Sequence, residues 1–179
     1  MVDARNVYLI GPMGSGKTAV GRRLALLLGK EFFDSDAEIE KRTGVDIRYI
    51  FEREGEPKFR VREREVIADL TGLDDVVVAT GGGVVLDAAN RERLAATGTV
   101  VYLETDLDTL VRRTRSTKVR PLLATDDPRA VLERLMETRR PLYEQLADLR
   151  IETTGRQVRA VAADVAQRLG RRVAKKGSA

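Results

Sequence analysis

The chain has 179 residues, 42% hydrophobic and 34% charged, with a net charge of +4 and neither Cys nor His. That composition suits one compact domain with a sizeable core, and it excludes disulfides, thiolate metal sites, cysteine nucleophiles and imidazole bases. Acid–base chemistry must then run on carboxylates, and a metal should be a hard, oxygen-bound ion such as Mg2+.

Short β-rich runs alternate with helical patterns. Strands are expected at Asn6–Ile10, Glu31–Phe33, Asp75–Ala79, Thr99–Glu104 and Leu149–Glu152. Helices are expected at Ala19–Leu28, Ala37–Arg42, Pro57–Leu70, Asn90–Ala95, Asp108–Arg113, Arg129–Leu146 and Val158–Leu169. Strands separated by helices predict an α/β domain of three layers, a parallel sheet covered on both faces. Residues 1–170 read as a single domain, and the basic stretch 171–179 as a disordered tail. The polar, aperiodic segment Arg115–Pro128 reads as a long loop, and such loops in compact domains often serve as lids. Pro141 predicts a turn or kink in the helical stretch around it.

No apolar run approaches the ~20 residues of a membrane helix, and Met1–Asn6 lacks signal-peptide architecture. A cytoplasmic protein is expected, with no membrane partner. Without an exposed apolar stripe, it is expected to be a monomer. The Arg surplus invites a nucleic-acid reading. However, Arg alternates with Glu in Arg60-Val61-Arg62-Glu63-Arg64-Glu65 as on a solvated helix face. The four Phe and four Tyr, with no Trp, offer little for base stacking. An anionic small substrate accounts for the arginines at least as well.

The first turn, Gly11-Pro12-Met13-Gly14-Ser15-Gly16-Lys17-Thr18, matches G-x-x-x-x-G-K-[ST] in full, with a strand running in and a helix running out. Backbone N–H groups there can point inward around phosphates, aided by the positive helix end. Gly14, Ser15, Gly16, Lys17, Thr18 and Ala19 form the expected ATP site. Lys17 would reach the β- and γ-phosphates, and the Thr18 hydroxyl would ligate Mg2+. The motif does not say whether the γ-phosphate goes to water or to an acceptor.

Five features bear on that choice. Asp34-Ser35-Asp36 ends the second strand; its carboxylates could divide metal and acceptor duties, or serve as a helix N-cap. Arg60, after Gly55-Glu56-Pro57, could clamp a carboxylate or simply be solvated. Gly81-Gly82-Gly83 follows a strand, where open α/β sheets approach ligands closely, although a plain turn would need fewer glycines. Arg113 and Arg120 flank the expected lid, where a cation can neutralise charge on a transferred phosphoryl group. Arg139 precedes Pro141-Leu142-Tyr143.

Together these motifs, in this order and spacing from Asn6 to about Leu169, resemble the shikimate kinase family. The resemblance implies a five-stranded parallel sheet ordered 2-3-1-4-5, like that of nucleoside monophosphate kinases, with a substrate-binding segment near residues 34–64 and a lid near 115–128. It implies transfer of the ATP γ-phosphate to the 3-hydroxyl of shikimate, giving shikimate 3-phosphate and ADP in aromatic amino-acid biosynthesis. Lys17, Asp36 and Arg120 would be catalytic, Arg120 also binding ATP as it comes down with the lid onto the phosphates. Asp36, Arg60, Gly81, Gly82, Gly83 and Arg139 would bind shikimate. Thr18 and Asp34 would hold Mg2+, and Arg113 would lie near the adenine. Arg140 leaves a one-residue ambiguity with Arg139, which the spacing to Pro141 resolves toward Arg139. Kinases for gluconate or nucleoside monophosphates share the P-loop and lid but not this combination. A non-catalytic ATP-binding regulator leaves Asp36, Arg60 and the triple glycine unexplained.

Overall fold

The computed structural model describes residues 5–115 and 127–176, with side chains as far as Arg172. Arg120, Asp126 and the centre of the expected lid lie outside them. Five strands form one parallel sheet: β1 Asn6–Ile10, β2 Glu31–Asp34, β3 Val76–Ala79, β4 Gly98–Glu104 and β5 Leu149–Glu152. Their order is β2-β3-β1-β4-β5, as the resemblance implied. β1 is central, with Leu9 in register with Ala79 on one side and Val101 on the other.

Helices α1 Lys17–Leu28 and α8 Val158–Lys176 cover one face of the sheet, where Val7, Leu9, Leu24, Val77, Val101, Ile151 and Val165 pack together. On the other face, Tyr8, Ile10, Val78, Val100 and Tyr102 meet α4 Glu56–Thr71, α5 Ala88–Thr97, α6 Leu107–Arg115 and α7 Pro128–Leu146. β1, β3 and β4 therefore read as continuous apolar runs, because both of their faces are covered. This arrangement brings the C-terminal ends of β1, β2 and β3 to one edge, where open α/β sheets bind ligands.

The structure adds one helix to the sequence reading, α3 Ile47–Glu54, capped by Asp46 accepting from the Tyr49 N–H at 2.7 Å. A short helix, α2 Ser35–Thr43, precedes it, and a 3-10 turn Val84–Leu86 follows β3. Two expectations need correcting. α8 continues as a helix to Lys176, past the point at Arg171 where the sequence suggested a disordered tail. α7 continues as a helix through Pro141, so no turn interrupts it there. A proline removes a single intrahelical hydrogen bond, and packing of Met136, Arg139 and Tyr143 into the core on either side holds the helix together.

Candidate active site

The site assembles where β1, β2 and β3 end. After β1 the chain turns through Gly14 (φ 84°) and Gly16 (φ 89°), left-handed conformations that favour glycine. Gly16 is the N-cap of α1 and provides no side-chain cap. The first N–H groups of α1 are thus left to a ligand, a ready anion site. Lys17, 8% exposed, curls over the same loop, its Nζ donating to the Gly11 and Pro12 carbonyls at 2.7 and 2.8 Å. On the rim, Arg113 of α6 donates through Nη1 to the Gly14 carbonyl at 3.0 Å. Ala19 is exposed on the first turn of α1.

Each residue of Asp34-Ser35-Asp36 has its own task. Asp34 caps α2, its Oδ1 accepting from the N–H groups of Asp36 and Ala37 at 3.0 and 3.1 Å. Its Oδ2 accepts from the Thr18 hydroxyl at 2.5 Å. The capping alternative therefore holds for Asp34, and its second oxygen is left facing Thr18. A hydroxyl and a carboxylate side by side form a hard, all-oxygen pair. Among the described residues no cluster of three or more His, Cys, Asp or Glu could cage a metal. The Thr18–Asp34 pair fits Mg2+, which takes one or two protein oxygens and fills its shell with water and phosphate. Ser35, fully buried, accepts from the Gly81 N–H at 3.0 Å and pins the glycine turn to β2.

The triple glycine is crowded by protein. A β-carbon on Gly81 would lie 2.7 Å from Asp36 Oδ1 and 2.9 Å from Glu63 Oε2. One on Gly83 would lie 2.6 Å from Arg60 Nη1. Gly82 lies against the P-loop and α7: its β-carbon would be 3.3 Å from the Met13 nitrogen and 3.5 Å from Arg139 Nη1. The glycines therefore let two carboxylates and two guanidiniums converge beside the phosphate loop.

Arg60 of α4 donates from Nη1 to Glu63 at 2.8 Å and from Nη2 to Glu56 at 2.9 Å. Sequence reasoning assigned Glu63 to a solvated face. That holds for the exposed Arg64 and Glu65 but fails here, because Glu63 is 1% exposed. Burial pushes its carboxyl up from 4.5 to about 7; Arg60 pulls it down, and the nearby Asp36 charge pushes it further up. A signal for it exists in the sequence: Phe59, Glu63, Val66, Ile67 and Leu70 form the buried stripe of α4, with one acid among apolar residues.

Arg139 and Arg140 separate cleanly. Met136, Arg139 and Tyr143 share the buried face of α7. Arg140 is exposed and lines a surface cavity of about 320 Å³ with Leu107, Glu133, Met136, Glu137 and Pro141.

Comparisons with known proteins converge on one family. The family model for shikimate kinase matches residues 13–170. The shikimate kinases of Shewanella pealeana and Shewanella denitrificans are 51% and 53% identical over 170 residues, 95% of this chain and 99% of each relative. The solved structure of shikimate kinase from Acinetobacter baumannii in complex with shikimate superposes with a TM-score of 0.90 at 48% identity, covering 92% of both chains. The shikimate kinase of Aquifex aeolicus gives 0.79 at 32% identity over 94% of this chain and 98% of that one. A gluconokinase from Sinorhizobium meliloti shares the fold, with a TM-score of 0.63 at 18% identity over 96% of this chain and 94% of that one. With the phosphate loop, the paired carboxylates, the half-buried Arg60 and the buried Arg139 gathered at one sheet edge, this chain belongs to the shikimate kinase family.

Proposed function

We propose that the chain transfers the γ-phosphate of ATP to the 3-hydroxyl of shikimate, with the acceptor held between the Asp34–Asp36 turn, α4, α7 and the glycine turn. The observation that carries this reading is the convergence on Gly81–Gly83 of Arg60, Arg139, Asp36 and Glu63, beside the P-loop backbone. Two guanidiniums are the natural clamp for a carboxylate. A carboxylate in the same cluster suits ring hydroxyls.

The P-loop N–H groups from Gly14 to Ala19 and the Lys17 ammonium bind the β- and γ-phosphates. Thr18 and Asp34 hold Mg2+, which when bound offsets phosphate charge. Asp36 accepts a hydrogen bond from the attacking hydroxyl, orienting it and taking its proton as the hydroxyl oxygen bonds to the γ-phosphorus and the β–γ bridging P–O bond breaks, with ADP as the leaving group. Arg60 and Arg139 bind the shikimate carboxylate, and Glu63 and Glu56 hold Arg60 in place. Arg113 braces the P-loop rim near the adenine, and Arg120 meets the transferred phosphate. Phosphoryl transfer of this kind depends on positioning and electrostatics more than on a strong base, which suits a site without histidine. We propose further that the protein acts as a cytoplasmic monomer whose partners are these two small molecules rather than nucleic acid or membrane. No helix among the described residues is long and apolar enough to cross a membrane.

The test is product analysis by phosphorus and proton NMR, with and without a chelator. A single monophosphate on the 3-hydroxyl, lost with the chelator and restored by Mg2+, is expected. Phosphate at another hydroxyl, or turnover indifferent to the chelator, would refute the acceptor geometry or the metal assignment respectively.

A further inference from the structure

Tyr143 has no assigned part in the chemistry, yet its contacts set it apart from an ordinary core residue. The side chain is fully buried. Its ring stacks on Tyr102 of β4, with centroids 5.1 Å apart and planes at 29°. Its hydroxyl donates to the Gly82 carbonyl, the middle of the glycine turn, at 2.5 Å across 61 residues of chain. The Arg139 guanidinium, one helical turn back on α7, lies close enough to the same hydroxyl to favour its ionised form, but burial dominates and holds the phenol protonated. Tyr143 is therefore a permanent donor.

Gly82 is where the acceptor side meets the donor side. It lies against the Gly11 carbonyl and the Met13 nitrogen of the P-loop as well as Arg139. The Gly11 carbonyl is in turn a partner of Lys17 Nζ. One phenol thus fixes two things together: the height of the glycine turn over the phosphate loop, and the direction from which Arg139 enters. Tyr102, on which the ring rests, is in register with Ile10, the last residue before the P-loop. Burying a phenol hydroxyl is costly unless it is satisfied. Phenylalanine would have filled the same volume at no such cost had only packing been required.

We infer that Tyr143 is a positioning residue for the acceptor: through Gly82 and Arg139 it sets the seat of the acceptor relative to the phosphate loop. The inference rests on the acceptor reading above. It predicts an asymmetric loss, because nothing Tyr143 touches belongs to the nucleotide's own contacts in α1.

The experiment compares wild type, Tyr143→Phe and Tyr8→Phe by steady-state kinetics in both substrates, together with thermal melting. Tyr8 is equally buried, and its hydroxyl is paired with Thr97 at 2.8 Å near the start of β1, the end of the sheet away from the site. It therefore controls for loss of a buried phenol bond as such. The expected result is a shikimate KM raised about five- to tenfold in Tyr143→Phe, the effect of one well-placed hydrogen bond, with the ATP KM within about twofold. Tyr8→Phe should melt lower while keeping the wild-type shikimate KM. Unchanged shikimate KM in Tyr143→Phe would overturn the role, as would an equal rise in Tyr8→Phe or parallel losses for both substrates. Wild type without any shikimate-dependent turnover would overturn the acceptor reading and this role with it, an outcome distinct from the others.

Discussion

Replacing Glu63 by Gln isolates the energetics of the site, because it removes a charge while keeping the shape and an oxygen for Arg60. In the folded chain the Glu63 carboxyl is raised from 4.5 to about 7, chiefly by burial. Between those two pH values the native state holds a proton that the unfolded chain has released. By linkage, stability from this group is greatest below about pH 4.5 and falls as pH rises through about 7, then levels. At about 1.4 kcal/mol per pH unit, the full effect is on the order of 3 kcal/mol. Most of that change, roughly 2 to 3 kcal/mol, falls between about pH 5 and pH 8. Glutamine cannot titrate, so urea denaturation of both proteins at a series of pH values should show the Glu63→Gln variant gaining on wild type by that amount from pH 5 to pH 8. A pH-independent offset from exchanging the neutral carboxyl for an amide will displace the two profiles without changing their slopes. Parallel profiles would refute the claim that burial beside Gly81 raises the Glu63 carboxyl.

Three further substitutions probe the geometry. Gly83→Ala places a methyl group within 2.6 Å of Arg60 Nη1; the flexible guanidinium should yield, so the fold should persist by melting while the shikimate KM rises at least about tenfold, as a lost charge-assisted contact implies. A normal KM would show that Arg60 does not seat the acceptor. Asp36→Asn should lower kcat by about a hundredfold or more while nucleotide affinity by titration calorimetry stays near wild type; full activity would move the role to Asp34. Lys17→Ala should leave no measurable phosphoryl transfer in a folded protein, and near-normal turnover would remove Lys17 from the γ-phosphate.

The phosphate loop and the sheet were legible because they depend on local signals. A strand, a glycine-rich turn and a helix in sequence specify the loop, and continuous apolar runs such as Val76–Ala79 mark strands buried on both faces. α3 escaped notice because Ile47–Glu54 is only two turns long and charged, although Asp46 before it and Gly55 after it are ordinary helix punctuation. Arg139 and Arg140 are adjacent in sequence but opposite in space, and the spacing of Met136, Arg139 and Tyr143 is the periodicity that separates them. What no local pattern could reveal is partnership across the chain. Ser35 with Gly81, Glu63 with Asp36 over Gly81, and Tyr143 with Gly82 arise only once β2, α4 and α7 converge on β3. For the same reason the sequence does not reveal that the triple glycine also makes room for Arg60, Asp36 and Glu63.

The most direct measurement is ADP release from MgATP by the purified chain as shikimate is titrated. The account predicts a rate that rises from a low basal level and saturates with shikimate, with one phosphate transferred per ADP formed. ADP release unaffected by shikimate, in a chain that still binds ATP, would contradict it.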